Sequence, residues 1–344
     1  MGLRVHMKKR LIACTAILLA TFLLLAFLQA LVQPKYMSVS REGALIAEYY
    51  SETNPSHDVL FIGDCEVYES FTPPTLWAQY GITSYIRGSA QQLAWHSYYL
   101  LEDTLRYETP KVVVYNVLAL KYGEPQDEAY NRLNLDGMKW SVSKINAIRA
   151  SMTEDESFAS YVFPLLRFHS RWKELCAEDV QYLFSRDRVS HNGYLMQTEV
   201  RGGKSTITPD PYTDPLPASS MEYLERMRAL CEEKGVELIL IKAPTNDWKY
   251  HWHDEWDEQI EAYATQNQLR YYNFIEKADE IGLDWSTDTY DKGVHLNVYG
   301  AEKLTAYFGA ILKDELGLAD RHSEAEIAAV WQEKLDAYYE ERNQ

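Results

Sequence analysis

A sulfur and a His/Asp pair stand at opposite ends of this chain. Early on, the apolar run Val59-Leu60-Phe61-Ile62 stops at Gly63-Asp64-Cys65-Glu66. Late on comes Asp291-Lys292-Gly293-Val294-His295-Leu296-Asn297. A thiol, an imidazole and a carboxylate suffice for acyl transfer. The imidazole takes the proton from the sulfur and returns it to the leaving alcohol, while the carboxylate holds the imidazole in one tautomer. Cys65, His295 and Asp291 are the candidates for those roles, with Asp288 a rival carboxylate. A thiol beside a His and at a helix N-terminus drops from a pKa of about 8.5 into the range of roughly 3.5–7.5. Cys65 is therefore expected to be a thiolate at neutral pH. The competing expectation is an inert core thiol, because cysteines are among the most often buried residues.

These groups can meet only if the elements between them form the right scaffold. Short β-branched and aromatic runs ended by turn residues predict strands at 57–62, 83–86, 112–115, 236–241 and 270–275. Helical spacing predicts helices at 76–80, 91–105, 220–234, 254–266, 276–281, 301–316 and 324–341, the last lying on the outside. Strands alternating with helices mean an α/β protein with a parallel sheet and helices on both faces. Ligands in such sheets bind at the carboxyl ends of the strands. Cys65, Gly88, Asn116 and the turn 244–246 each follow a strand, and Asp291 and His295 precede the last long helix. All then converge on one rim. Residues 121–219 break the rhythm. They predict an insertion, helices first and then a short hairpin or loop, of the kind that becomes a lid or substrate wall.

At these positions the chain resembles the SGNH (GDSL-type) hydrolases. Gly63-Asp64-Cys65 matches the family's Gly-Asp-Ser block with cysteine in place of serine. Gly88 matches the block whose glycine offers a backbone N–H, and Asn116 is a weak match to the block supplying an asparagine amide. Asp291 and His295 match the closing block, with a spacing one residue longer than usual. The resemblance implies a three-layer flavodoxin-like fold and acyl transfer to water or a hydroxyl. It implies an oxyanion hole from the backbone N–H groups of Cys65 and Gly88 and the amide of Asn116. Membrane-anchored relatives modify cell-envelope polymers. The implied substrate is thus an envelope glycan or related polymer, with a membrane protein as a possible acyl donor. Asp64, Gln91, Asn246 and His251 are the candidates for substrate contacts. A thioester intermediate would favour transfer slightly over hydrolysis. An inactive binding or scaffold subunit of an envelope-modifying complex would carry the same blocks.

The N-terminus sets the location expected for that chemistry. Arg4, Lys8, Lys9 and Arg10 lie in a short tail (1–10), and residues 11–32 carry no charge. That run is long enough to cross a hydrocarbon core of about 30 Å, and longer than the roughly 7–15 apolar residues of a secretory signal. Leu28-Gln29-Ala30 is a poor cleavage site. The expectation is an uncleaved single-pass anchor with the body outside the cytoplasm, the alternative a cleaved signal. Residues 33–56 read as a stalk, 57–316 as the SGNH-like domain containing the insertion, and 317–344 as a C-terminal helix.

The net charge of -17 excludes a nucleic-acid partner, which needs clustered Lys and Arg, and argues against a body lying on anionic lipid. No cofactor and no metal is expected: His251-Trp252-His253-Asp254 lacks further ligands at a recognisable spacing. Arg87, Arg167 and Arg171 are candidates for an anionic group or, more simply, for ion pairs.

Overall fold

A computed structural model describes residues 2–34, 43–52, 56–186, 188–204, 215–246 and 252–344. The first helix, α1, covers Gly2–Val32, and within His6–Val32 an 18-residue window reaches a mean hydropathy of 2.8, so the helix is long and apolar enough to span a membrane. The short α2 (Ala44–Glu48) follows. Then come β1 (Val59–Gly63), α3 (Cys65–Tyr68), α4 (Pro73–Tyr80), β2 (Ser84–Gly88), α5 (Ala94–Thr104) and β3 (Val112–Asn116). The insertion supplies α6 (Glu128–Leu135), α7 (Val142–Ser151), α8 (Phe158–Val162), α9 (Leu165–Phe168) and α10 (Ala177–Tyr182). The alternation resumes with α11 (Ala218–Lys234), β4 (Glu237–Lys242), α12 (Asp254–Asn267), β5 (Arg270–Asn273), α13 (Ala278–Ile281), α14 (Val298–Asp314) and α15 (Ala325–Arg342).

All five strands pair in parallel in the order β2-β1-β3-β4-β5. This is the flavodoxin-like order, in which the topological switch point lies between β1 and β3. The two-residue strand period sorts the apolar side chains onto two faces. Phe61, Val114, Ile239 and Ile241 face Leu304, Phe308 and Leu312 of α14. Leu60, Ile62, Val113 and Leu240 face Leu101 of α5, Met227 of α11 and Ile260 of α12. The result is a three-layer α/β protein with a long, mostly helical insertion.

One segment departs from expectation. The proposed stalk is, over residues 43–52, part of the packed body: Leu45, Ile46 and Tyr49 are buried. Arg87 holds them there, donating to the Ile46 carbonyl at 2.7 Å and lying 4.2 Å over the Tyr49 ring. Gly43 meets Gly137 so closely that a Cβ on the former would sit 2.1 Å from the latter's nitrogen. The C-terminal α15 lies mostly exposed on the outside, but it is packed down onto the body. It buries Trp331 and Tyr338, and Trp331 stacks on Trp77 with ring centroids 5.5 Å apart.

The end of the insertion does a further job. An edge strand exposes unpaired backbone groups, and here residues 190–194 cover β2. Asn192 accepts from the Ile86 N–H at 2.9 Å and its amide donates to the Ser84 carbonyl at 3.2 Å. Asn192-Gly193 turns the chain with positive φ at both residues, the two-residue hairpin geometry that the Asn-Gly pair favours. The strip then runs on to the loop carrying His295: Arg201 donates to Thr289 and accepts from Lys292, each at 2.9 Å.

Candidate active site

Cys65 begins α3 immediately after β1, so the sheet aims the sulfur at its C-terminal rim. The turn demands a glycine before it, because a Cβ at Gly63 would lie 2.5 Å from Val67. His295 sits just ahead of α14, whose N-cap Asn297 accepts from the N–H groups of Tyr299 and Gly300. These two anchored ends bring His295 Nε2 to 3.1 Å from Cys65 Sγ. On the other side of the ring, Nδ1 is 2.7 Å from Asp291. Asp291 in turn accepts from the backbone N–H groups of His295 (2.8 Å) and Val294 (3.1 Å). The extra residue between Asp291 and His295 is absorbed by a turn with positive φ at Lys292 and Gly293. Asp288 is buried elsewhere, accepting from Lys303 at 2.6 Å and from the Asp284 N–H at 2.8 Å. The carboxylate on the imidazole is therefore Asp291.

Sequence reasoning missed a second carboxylate. Glu69 lies 3.7 Å from His295 Nδ1 and accepts from the Tyr290 hydroxyl at 2.9 Å. Tyr290 also stacks on the His295 ring. The signal was available, since Cys65 and Glu69 are four apart and share a helix face. Behind the nucleophile is another unpredicted group. Glu66 is buried against Lys242, whose ammonium donates to both carboxylate oxygens at 2.9 and 2.7 Å. A lysine closing the apolar strand Leu238-Ile239-Leu240-Ile241 was the clue, because a buried ammonium requires a paired carboxylate.

Other candidates occupy different places. Asn116 ends β3 beside Cys65, but its amide donates to Asp64 at 3.1 Å and to Glu66 at 3.0 Å, and its carbonyl accepts from Ala243 N–H. Both N–H groups are committed to carboxylates, so Asn116 braces the turn in this arrangement rather than facing an oxyanion. Asp64, expected to face substrate, is turned inward and caps α3 by accepting from Glu66 N–H. Gly88 ends β2 at the same sheet end, paired with Gly63. Gln91 follows with a positive φ, and its Oε1 is buried without a hydrogen-bond partner. Asn246 ties the turn after β4 to the His295 loop through Gly293, at 2.8 Å. His251 lies outside the described residues. Arg87, Arg167 and Arg171 are engaged with Ile46, Glu128 and Asp179 respectively.

The electrostatics overturn one expectation. Burial pushes the Cys65 thiol up to about 11, although His295 pulls the other way through its charge and its hydrogen bond. Burial therefore works against the standing thiolate expected from the sequence. Burial also raises Asp64 to about 6 and Glu69 to about 7. For His295 burial works against the charged ring. The sulfur of Cys65, the carboxylate of Glu69 and the hydrogen bond to Asp291 outweigh it and hold the imidazole well above its usual value. Asp291 stays below the usual carboxylate range: its bonds with His295 overcome the effect of burial. The site thus stabilises positive charge on the imidazole, the charge that develops when His295 takes a proton. Among the described residues no group of three or more His, Cys, Asp or Glu side chains is arranged so that it could hold a metal ion.

No family model and no curated protein matches this chain. Among solved structures it is similar to a GDSL-like lipase from Bacteroides thetaiotaomicron, with 14% identity over 79% of this chain and 95% of that one and a TM-score of 0.37. It is also similar to a putative acylhydrolase from Bacteroides fragilis, with 13% identity over 78% of this chain and 95% of that one and a TM-score of 0.38. The fold itself rests on the sheet order, β2-β1-β3-β4-β5.

Proposed function

We propose that the chain is an ester-acting hydrolase or O-acyltransferase with Cys65 as nucleophile. Its setting is the outer face of the cytoplasmic membrane, where α1 anchors it and a cell-envelope glycan or related polymer serves as substrate. The observation that supports this is the continuous contact Cys65–His295–Asp291 at 3.1 and 2.7 Å. As the sulfur attacks an ester carbonyl, its proton passes to His295 Nε2. The backbone N–H groups of Cys65 and Gly88 face the oxyanion in this reading, each worth about 2.7–4 kcal/mol. Collapse expels the alcohol, which recovers the proton from His295 and leaves a thioester on Cys65. Water or an acceptor hydroxyl then gives its proton to His295 and takes the acyl group, and as the S–acyl bond breaks His295 returns that proton to the Cys65 sulfur.

A second reading is favoured by two specific observations: the thiol held up to about 11 and the Asn116 amide spent on Asp64 and Glu66. Both suit a member that binds a polymer without cleaving its esters. Incubation of the full chain in detergent with p-nitrophenyl acetate separates the two. Catalysis gives an acyl adduct at Cys65, seen by mass spectrometry and absent in Cys65→Ala; no adduct in the wild type leaves the binding reading. Cys65→Ser with retained ester cleavage would show that the remaining groups are competent.

A further inference from the structure

The surface of the insertion next to α1 is the second feature with functional content. About 20 residues suffice to cross a hydrocarbon core of about 30 Å, and the uncharged run of α1, residues 11–32, has 22. Its side chains are exposed down to Phe27, and from Leu28 to Val32 they are partly or fully covered. What touches α1 is α9, the turn His169–Lys173 and α10. Arg171 fixes the junction, donating to the Val32 carbonyl at 2.8 Å and to Asp179 at 3.1 Å.

The same short helices present large apolar side chains outward. Phe163 is 54% exposed, Leu166 60%, Trp172 66% and Phe184 81%. Four such residues within one segment are unlike the singly scattered apolar groups of an ordinary surface. Cations accompany them: Lys173 lies 5.7 Å over the Trp172 ring and Arg167 5.6 Å over Phe168. Aromatic side chains with neighbouring Lys and Arg suit the headgroup level of a bilayer, where one end of each group is apolar and the other wet.

We infer that residues 162–184 form an interfacial platform. It rests in the headgroup and upper acyl region of the bilayer crossed by α1, so the body contacts lipid at a second place. Continuity with the covered end of α1 is what selects lipid as the occupant. The acidity of the whole chain does not extend to this segment, which carries three Lys or Arg and three Asp or Glu and meets lipid through its apolar groups. The inference rests on the membrane reading of α1 given above.

The test uses the full chain in vesicles of phosphatidylethanolamine and phosphatidylglycerol. A nitroxide is placed in turn on Cys14, on Phe184→Cys and on Glu233→Cys, with the other accessible cysteines replaced by Ala or Ser. Trp172→Cys repeats the platform measurement, so that one misfolded variant does not decide the matter. Collisions with oxygen report lipid and collisions with a water-soluble nickel chelate report solvent. The expected result is oxygen access with loss of nickel access at positions 14, 172 and 184, and the reverse at 233. Nickel access at 172 and 184 with Cys14 still in lipid overturns the platform and leaves the anchor. Shielding of 172 and 184 from both reagents means a second copy or another protein covers them, and also overturns it. Nickel access at Cys14 removes the anchor reading and the platform with it.

Discussion

Two sets of carboxylates flank the turn at Cys65, and they are neutralised in opposite ways. Behind the turn, Glu66 is buried against Lys242, which has no exposed surface and donates to both its oxygens. In front, Glu69 and Asp291 face His295, a cation only while it holds a proton. The rear pair ties the turn after β1 to the end of β4 through two direct hydrogen bonds. The front group lets charge follow the proton, as general acid–base chemistry requires. Glu66 and Glu69, only three positions apart, thus meet different partners: a buried ammonium held through both oxygens, and an imidazole that exchanges a proton in the proposed chemistry.

The comparison is broken most forcefully at Lys242. Lys242→Met leaves Glu66 buried without its partner, and should destabilise the protein by about 3–5 kcal/mol. The double variant Glu66→Gln/Lys242→Met should recover part of this; denaturant midpoints measure both. Equal loss in the single and double variants would mean the pair is not what holds the turn. A smaller effect is expected at Asp291, and it falls on reactivity instead of stability. Asp291→Asn keeps the shape but removes the charge on the imidazole, and should slow acylation of Cys65 by about 10²-fold or more. An unchanged rate would free His295 from dependence on Asp291.

The smallest effect sharpens the front group. The carboxyl of Glu69 is raised from 4.5 to about 7, so it binds its proton more tightly when folded. Its contribution to stability is therefore full below about pH 4.5 and is lost as pH rises through about 7. Glu69→Gln should remove that slope, worth up to about 3 kcal/mol, and melting curves across this window measure it. The same change takes away one of the groups raising His295, so the neutral imidazole should persist to lower pH and the acid limb of reactivity should move down. Iodoacetamide provides a companion measurement on the wild type. Alkylation of Cys65 should keep rising toward about pH 11; saturation near neutrality would restore the thiolate expectation.

Much of this was legible in the sequence. The runs 112–115 and 236–241 were apolar enough, and well enough bounded, to mark β3 and β4 within a residue or two. Cys65 and His295 stood at a strand end and a helix start, positions that a parallel sheet brings to one rim. What escaped depended on burial and on partners distant in sequence. A helix start and a His lower a thiol pKa, while desolvation raises it, and only packing decides between them. Asn116 has the amide that an oxyanion needs, yet nothing local shows that Asp64 and Glu66 would claim both its N–H groups. Residues 43–52 looked like a tether because the buried Arg87 that clasps them lies in β2.

The grip of Arg171 on the Val32 carbonyl has a mechanical consequence. A catalytic head on a loose string samples a hemisphere and meets polymers at any distance its tether allows. If α1 spans the bilayer as proposed, the rod is clamped to the globule and the rim would stay at one altitude over the lipid. A polymer substrate would then have to enter that narrow horizontal band, and sideways diffusion of the whole protein would be its means of search.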